Sequence, residues 1–150
     1  MSEKIDSVNY LEMADKHGYT MKIGQEQKSF TQTVMSETLI FVKFALPGIH
    51  CYPDAPDDVS YLRSPHRHMF HFKVGVNVTH ANRDIEFHQF LNWCKSQYTT
   101  NTLELSYKSC EMIAQELSTL IFKDYKVDKC IIEVWEDDEC GAVLTAVRCG

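Results

Sequence analysis

The stretch SPHRHMFHFKVGVNV, from Ser64 to Val78, constrains the fold of this chain more than any other. Its hydrophobic residues alternate with polar ones, a period of two that is typical of a β-strand with one buried face. His66 and His68 lie on the same side of this predicted strand as the hydrophobic residues that follow them. Such a His-x-His pair can hold a metal ion with two rigidly placed ligands. Alternatively, one histidine covers the core and the other lies in solvent, and this stretch alone leaves both interpretations open.

Composition narrows the class of protein. A chain of 150 residues with 44% hydrophobic content is typical of one globular domain. The longest hydrophobic run, LIFVKFAL, is too short to cross a bilayer, and the first ten residues lack a secretion signal. The six cysteines include no CxxC pair, so we expect reduced thiols in a cytoplasmic protein. The net charge of −6, without a basic cluster, argues against nucleic acid and membrane surfaces as partners.

Hydrophobic periodicity predicts three further strands and two helices. The first strand is disturbed by Pro47 and Gly48, and the second helix has Ser109 as its N-cap. Residues 1–36 carry weak signals and are assigned as an N-terminal extension that could hold a short helix and an edge strand. The predicted strands are 37–46, 66–79, 129–136 and 142–147, and the predicted helices are 87–98 and 110–122.

The order of these elements predicts an α+β domain over residues 37–150. Strand pairs on either side of a helix pair imply an antiparallel four-stranded sheet in ββααββ order, with both helices packed on one face. The segment TTNTLELSYKS between the helices is predicted to be a polar link.

Polar side chains that could act together lie at the ends of the predicted strands. His50 and His66 flank one loop, so they belong at the same end of a hairpin. With His68 they give three imidazoles and an open fourth position, which is the pattern of a catalytic zinc site. Glu136 lies on the hydrophobic side of its strand, and its two oxygens suit adjacent N–H donors on a heterocycle.

These residues resemble the family of 6-pyruvoyl-tetrahydropterin synthase and 6-carboxy-tetrahydropterin synthase. The resemblance covers residues 38–148 and implies a tunnelling fold, a homohexamer with active sites between subunits, and 7,8-dihydroneopterin triphosphate as the substrate. It also implies that Zn²⁺ is bound by His50, His66 and His68, and that the pterin ring is bound by Glu136, Ser109 and Glu111. The segments that carry the resemblance are His50, PHRHMFHF, IEFHQFL, SCEMIAQEL and IIEVWEDDECGAVL.

Two features of the family are missing from this chain. The family has a catalytic cysteine shortly before His-x-His, where this chain reads YLRSP, and an Asp-His pair between the helices, where it reads SQYTTNTLELSYKS. Cys51, His71 and His88 are the candidate replacements. Cys51 is favoured because a nearby metal stabilises a thiolate. The plainer interpretations are that Cys51 is a small packing residue and that His71 lies on the outer face of the sheet.

Three hypotheses for function follow. The first is a zinc-dependent carbon–oxygen lyase that acts on 7,8-dihydroneopterin triphosphate by metal-assisted proton abstraction and elimination, in tetrahydropterin synthesis or in 7-deazaguanine (queuosine) synthesis. The second is a related lyase on another pterin or nucleotide-like compound, with Cys51 or a metal-bound water as the base. The third is a protein without catalysis that binds or sequesters a purine- or pterin-like ligand.

Overall fold

The computed structural model describes residues 36–98, 100 and 102–149, so the predicted extension lies outside the described residues except for Ser36. Two helices, one 3-10 segment (Asp57–Arg63) and five strands make up this part of the chain. The helices are α1 (Phe87–Ser96) and α2 (Cys110–Asp124). The strands are β1 (Thr38–His50), β2 (His66–Val78), β3 (Leu103–Ser106), β4 (Lys129–Glu136) and β5 (Cys140–Val147).

The strands form one mixed sheet in the order β3-β1-β2-β4-β5. The four predicted strands pair antiparallel with their neighbours, as expected. The prediction of a four-stranded ββααββ sheet was wrong in one respect, because β3 lies in the segment predicted to be a polar link and pairs parallel with β1. Leu103 and Leu105 of β3 are buried, but two hydrophobic residues in a four-residue strand are too few to give a periodic signal.

Pro47 and Gly48 do not interrupt β1, contrary to the prediction. The pairing with β2 continues without a shift from Thr38 to His50, and Gly48 lies opposite His68. A Cβ atom on Gly48 would lie 2.7 Å from the Phe70 ring, so the missing side chain makes room for that ring. The unbroken strand brings His50 directly opposite His66.

Both helices cover the same face of the sheet and enclose the core. Helix α1 buries Phe90 and Cys94, whereas Phe87 is exposed in the first turn. Ser109 caps α2 as predicted, since its hydroxyl accepts a hydrogen bond from the amide of Met112. None of the described helices has the length and hydrophobicity that a membrane span requires.

Candidate metal centre

Three histidine side chains converge at one end of the sheet. His50 is the last residue of β1, His66 opposite it is the first residue of β2, and His68 follows on the same face of β2. One ring nitrogen from each histidine lies within 4.8 Å of the other two. The strand pairing therefore places all three imidazoles around one point.

The Nδ1 atom of each imidazole contacts a separate acceptor. His50 Nδ1 lies 3.0 Å from the carbonyl oxygen of Lys108, and His66 Nδ1 lies 2.8 Å from that of Ser64. His68 Nδ1 lies 2.6 Å from Oδ2 of Asp137. Because none of these acceptors has a hydrogen to donate, each Nδ1 carries a proton, and Nε2 is then the nitrogen left to bind a metal ion. This arrangement is typical of metal-binding histidines, in which an outer partner fixes the tautomer.

The Nε2 atoms are the test of whether the residues fit a metal ion. Those of His50 and His68 are buried and have no hydrogen-bond partner among the described residues. A buried acceptor without a partner is unfavourable, and a cation or a donor placed between the two nitrogens would satisfy both. Neutral imidazoles are suitable ligands for Zn²⁺, so the residues present fit the ion that the resemblance implied.

Glu136 lies beside the histidines at the end of β4. Its Oε1 is 3.4 Å from Nε2 of His50, and its Oε2 is 3.7 Å from Nε2 of His68. The thiol of Cys110, the first residue of α2, lies 3.5 Å from Oε1. Burial, together with the negative charge of Glu136, raises the pKa of Cys110 to about 12, so the thiol stays protonated and can donate to the carboxylate.

A cavity of about 260 Å³ opens beside this centre. Its lining includes the three residues expected to bind a pterin ring, Glu136, Ser109 and Glu111, together with His50 and His66. A hydrogen bond from the Ser109 hydroxyl lowers the pKa of Glu111, which keeps that carboxylate charged and able to accept hydrogen bonds. The cavity therefore combines carboxylate acceptors with an adjoining set of imidazoles.

The structure separates the two residues that were predicted to be catalytic. Cys51 is half-buried and lines the same cavity, next to His50. His71 points to the opposite face of the sheet, where a second cavity of about 430 Å³ lies between Lys43, Lys73 and Asp138. His88 is exposed on α1. Of these three residues, only Cys51 lies in the same cavity as His50 and His66.

Sequence reasoning missed the groups that orient the histidines. The carbonyl groups of Ser64 and Lys108 carry no side-chain signal, and Asp137 has the opposite parity to the buried residues of β4. Asp137 is held in the β4–β5 turn with a left-handed backbone (φ 52°). Its Oδ1 also accepts a hydrogen bond of 2.8 Å from the amide of Met69. Asp137 could have been predicted as a partner of His68 from one feature, which is that it directly follows a strand neighbouring the His-x-His strand.

Comparisons with known proteins show the fold. No family model matches the chain, and no curated protein is similar to it in sequence. The structure is similar to that of a Vibrio cholerae protein designated dihydroneopterin aldolase (FolB), with a TM-score of 0.52 and 13% identity over 76% of this chain and 100% of the other. It is also similar to 6-pyruvoyl tetrahydropterin synthase of Plasmodium falciparum, with a TM-score of 0.50 and 12% identity over the same shares. The chain therefore has a mixed α+β fold like that of these two proteins, consistent with the tunnelling fold.

Proposed function

We propose that this chain is a zinc-dependent enzyme that acts on a pterin-like compound, with His50, His66 and His68 as metal ligands. The observation that carries the proposal is the set of three imidazoles, each with an acceptor at Nδ1 and each with one ring nitrogen in a common cluster. The two structural neighbours, named for a dihydroneopterin aldolase and a pyruvoyl tetrahydropterin synthase, support the choice of a pterin as the substrate class.

The residues around the cavity would have separate roles in binding and catalysis. Glu136, Glu111 and Ser109 would hold the ring through its N–H donors, as the family resemblance led us to expect. Zn²⁺ held by the three histidines would supply a Lewis acid that polarises substrate oxygens, so that protons on the adjacent carbons become more acidic. Cys51 would then remove such a proton in the place of the missing family cysteine, because it lies beside a metal ligand on the cavity wall.

The charged residues that line the cavity indicate how well it can bind a phosphorylated substrate. Among the described lining residues Lys108 is the one ammonium or guanidinium side chain, and its Nζ is bound to Glu116 at 2.7 Å. A triphosphate would need further cations, either from a neighbouring subunit or from residues outside this wall. We therefore propose a pterin substrate. Assays with 7,8-dihydroneopterin and with its triphosphate determine whether the substrate carries phosphate groups.

Assembly into a homo-oligomer, a hexamer by the family resemblance, is part of the proposal. The sheet face opposite the helices exposes Phe41, Val143 and Val147, with 41%, 59% and 61% of their surfaces accessible. A subunit packed against this face would cover these three side chains. Sedimentation equilibrium would measure the mass of the assembly.

The function is tested by incubating the Zn²⁺-loaded protein with each of the two pterins and analysing the products by mass spectrometry. We expect conversion by the wild type, loss of conversion in Cys51→Ser, and unchanged conversion in Cys149→Ser, an exposed cysteine that does not line the cavity. A pterin that raises the Tm of both variants shows that binding is intact.

A binding protein is the second candidate function, favoured by the absence of the family's cysteine and Asp-His pair. If the wild type leaves both pterins unchanged while a purine or pterin raises its Tm, the enzyme proposal fails and the binding function replaces it.

A further inference from the structure

We infer that Tyr52 and Tyr107 bind the flat face of the substrate ring, so that the cavity beside the histidines selects flat heterocycles. The inference rests on the proposed function, which provides the ring, and the sequence did not single out either residue. The carboxylates and the hydroxyl proposed to bind the ring accept hydrogen bonds from its edge. The faces of the ring need contacts of another kind.

Both tyrosines line the cavity and leave much of their surface accessible. The accessible fractions are 50% for Tyr52 and 64% for Tyr107. Ligand cavities are typically lined by hydrophobic and aromatic side chains, with a few polar groups among them that fix orientation. In the described lining the large hydrophobic side chains are those of Tyr52, Tyr107 and Leu62. Two aromatic rings are therefore available to a ligand in this cavity.

The backbone places the two tyrosines in the same part of the wall. Strands β1 and β3 run parallel, and the amide of Cys51, directly after β1, donates a hydrogen bond of 2.7 Å to the carbonyl of Ser106, the last residue of β3. Tyr52 and Tyr107 are the residues that follow this bonded pair. The amide of Tyr52 also donates a hydrogen bond of 2.7 Å to the carbonyl of Leu62. Because this backbone is already hydrogen-bonded, ordering the two rings against a ligand costs less entropy.

The edge acceptors belong to the same cavity. Ser109 and Glu111 follow Tyr107 within four residues, at the start of α2, and Glu136 ends β4. Stacking of a heterocyclic base on an aromatic side chain strengthens binding roughly 5- to 150-fold and tolerates many ring substituents. The tyrosines would therefore select the class of ligand, and the edge acceptors would select among its members.

A neighbouring subunit that covers the tyrosines is the competing explanation for their exposure. In that case their side chains contact protein in the assembly, and their loss lowers the mass of the assembly. Sedimentation equilibrium of each variant measures that mass.

The test compares Tyr52→Ala and Tyr107→Ala with Tyr52→Phe and Tyr107→Phe, which keep an aromatic ring. Tyr61→Ala is the control, because Tyr61 is exposed (72%) and lies outside the described lining of the cavity. Affinity for 7,8-dihydroneopterin is measured by isothermal titration calorimetry. We expect each Ala variant to bind at least about fivefold more weakly, each Phe variant to stay within about twofold of the wild type, and Tyr61→Ala to match it. The Tm of each ligand-free variant shows whether it folds.

A crystal structure with bound 7,8-dihydroneopterin provides the direct readout. A pterin ring stacked on both tyrosines, with ring centroids within about 7 Å, supports the inference. Tyrosines that contact a neighbouring subunit instead of the pterin overturn it, whatever the affinities of the variants. A wild type that binds the pterin while either Ala variant binds it equally well overturns the role of that tyrosine and leaves the proposed function standing. A wild type that binds neither 7,8-dihydroneopterin nor its triphosphate overturns the proposed function together with this inference.

Discussion

At the scale of single residues, the tautomers of the histidines matter as much as their positions. The period of two in β2 and β4 was enough to put His66, His68 and Glu136 on the buried side of the sheet, because side chains alternate strictly along a strand. The period of two could not predict which groups accept hydrogen bonds from the Nδ1 atoms. Two of them are backbone carbonyls, and Asp137 reaches His68 only through a turn whose left-handed backbone does not follow strand parity.

Asp137 is expected to contribute to metal affinity without touching the metal. Asp137→Gly removes the acceptor from His68 while tolerating the left-handed backbone, so Zn²⁺ affinity should fall about 10–100-fold. Asp137→Asn keeps an acceptor oxygen and should lose less. The same two changes at Asp138, which also has a left-handed backbone (φ 63°), are the controls. Equal losses at both positions would mean that the turn, and not the hydrogen bond to His68, determines affinity.

Glu133 gives a pH dependence away from the metal centre. The hydrogen bond from the Lys73 ammonium, 2.6 Å long, lowers the pKa of Glu133. A carboxylate with a lowered pKa stabilises the fold above its unfolded-state pKa, and that stabilisation disappears as the pH falls through the folded-state pKa. Glu133→Gln should therefore cost up to about 1 kcal/mol in the free energy of unfolding at pH 7. Urea titrations between pH 7 and pH 3 should show the difference shrinking below about pH 5. A difference that is constant with pH would contradict the assignment.

At the scale of elements, sequence periodicity was sufficient for the long strands and the helices, and insufficient for β3. The long elements repeat their pattern over eight or more residues, whereas β3 has four residues and pairs parallel with a strand distant in sequence. That short strand matters for the site. β3 pairs with β1, and the amide of Cys51 extends this pairing by donating a hydrogen bond to the carbonyl of Ser106. The pairing positions the following residue Lys108, whose carbonyl orients His50.

Gly48 tests the continuity of β1. Gly48→Ala would place a methyl group 2.7 Å from the Phe70 ring and 3.2 Å from Cβ of Leu103, so the ring has to move. We expect a loss of about 1–3 kcal/mol in the free energy of unfolding, measured with urea. Ala45→Ser, at an exposed position of the same strand, should change it by less than about 0.5 kcal/mol. A neutral Gly48→Ala variant would show that β1 does not continue past Pro47 in solution.

At the scale of the whole molecule, the fold and the site carry different kinds of information. Two proteins named for pterin enzymes share the α+β architecture at only 12–13% identity. A similarity at this level shows the fold, whereas the substrate has to be inferred from the site. The site has three oriented imidazoles, a carboxylate beside them and a cavity with further acceptors. This chain lacks the cysteine and the Asp-His pair of the family it resembles, while the three histidines proposed to bind zinc are present.

The central claim is that these histidines hold a metal ion, and metal content measures it most directly. The protein is purified without added metal and analysed by inductively coupled plasma mass spectrometry, beside a variant with His50, His66 and His68 all changed to Ala. We predict about one equivalent of zinc per chain in the wild type and almost none in the variant. A wild type with almost no metal, which also fails to take up added Zn²⁺ at micromolar concentration, would contradict the account.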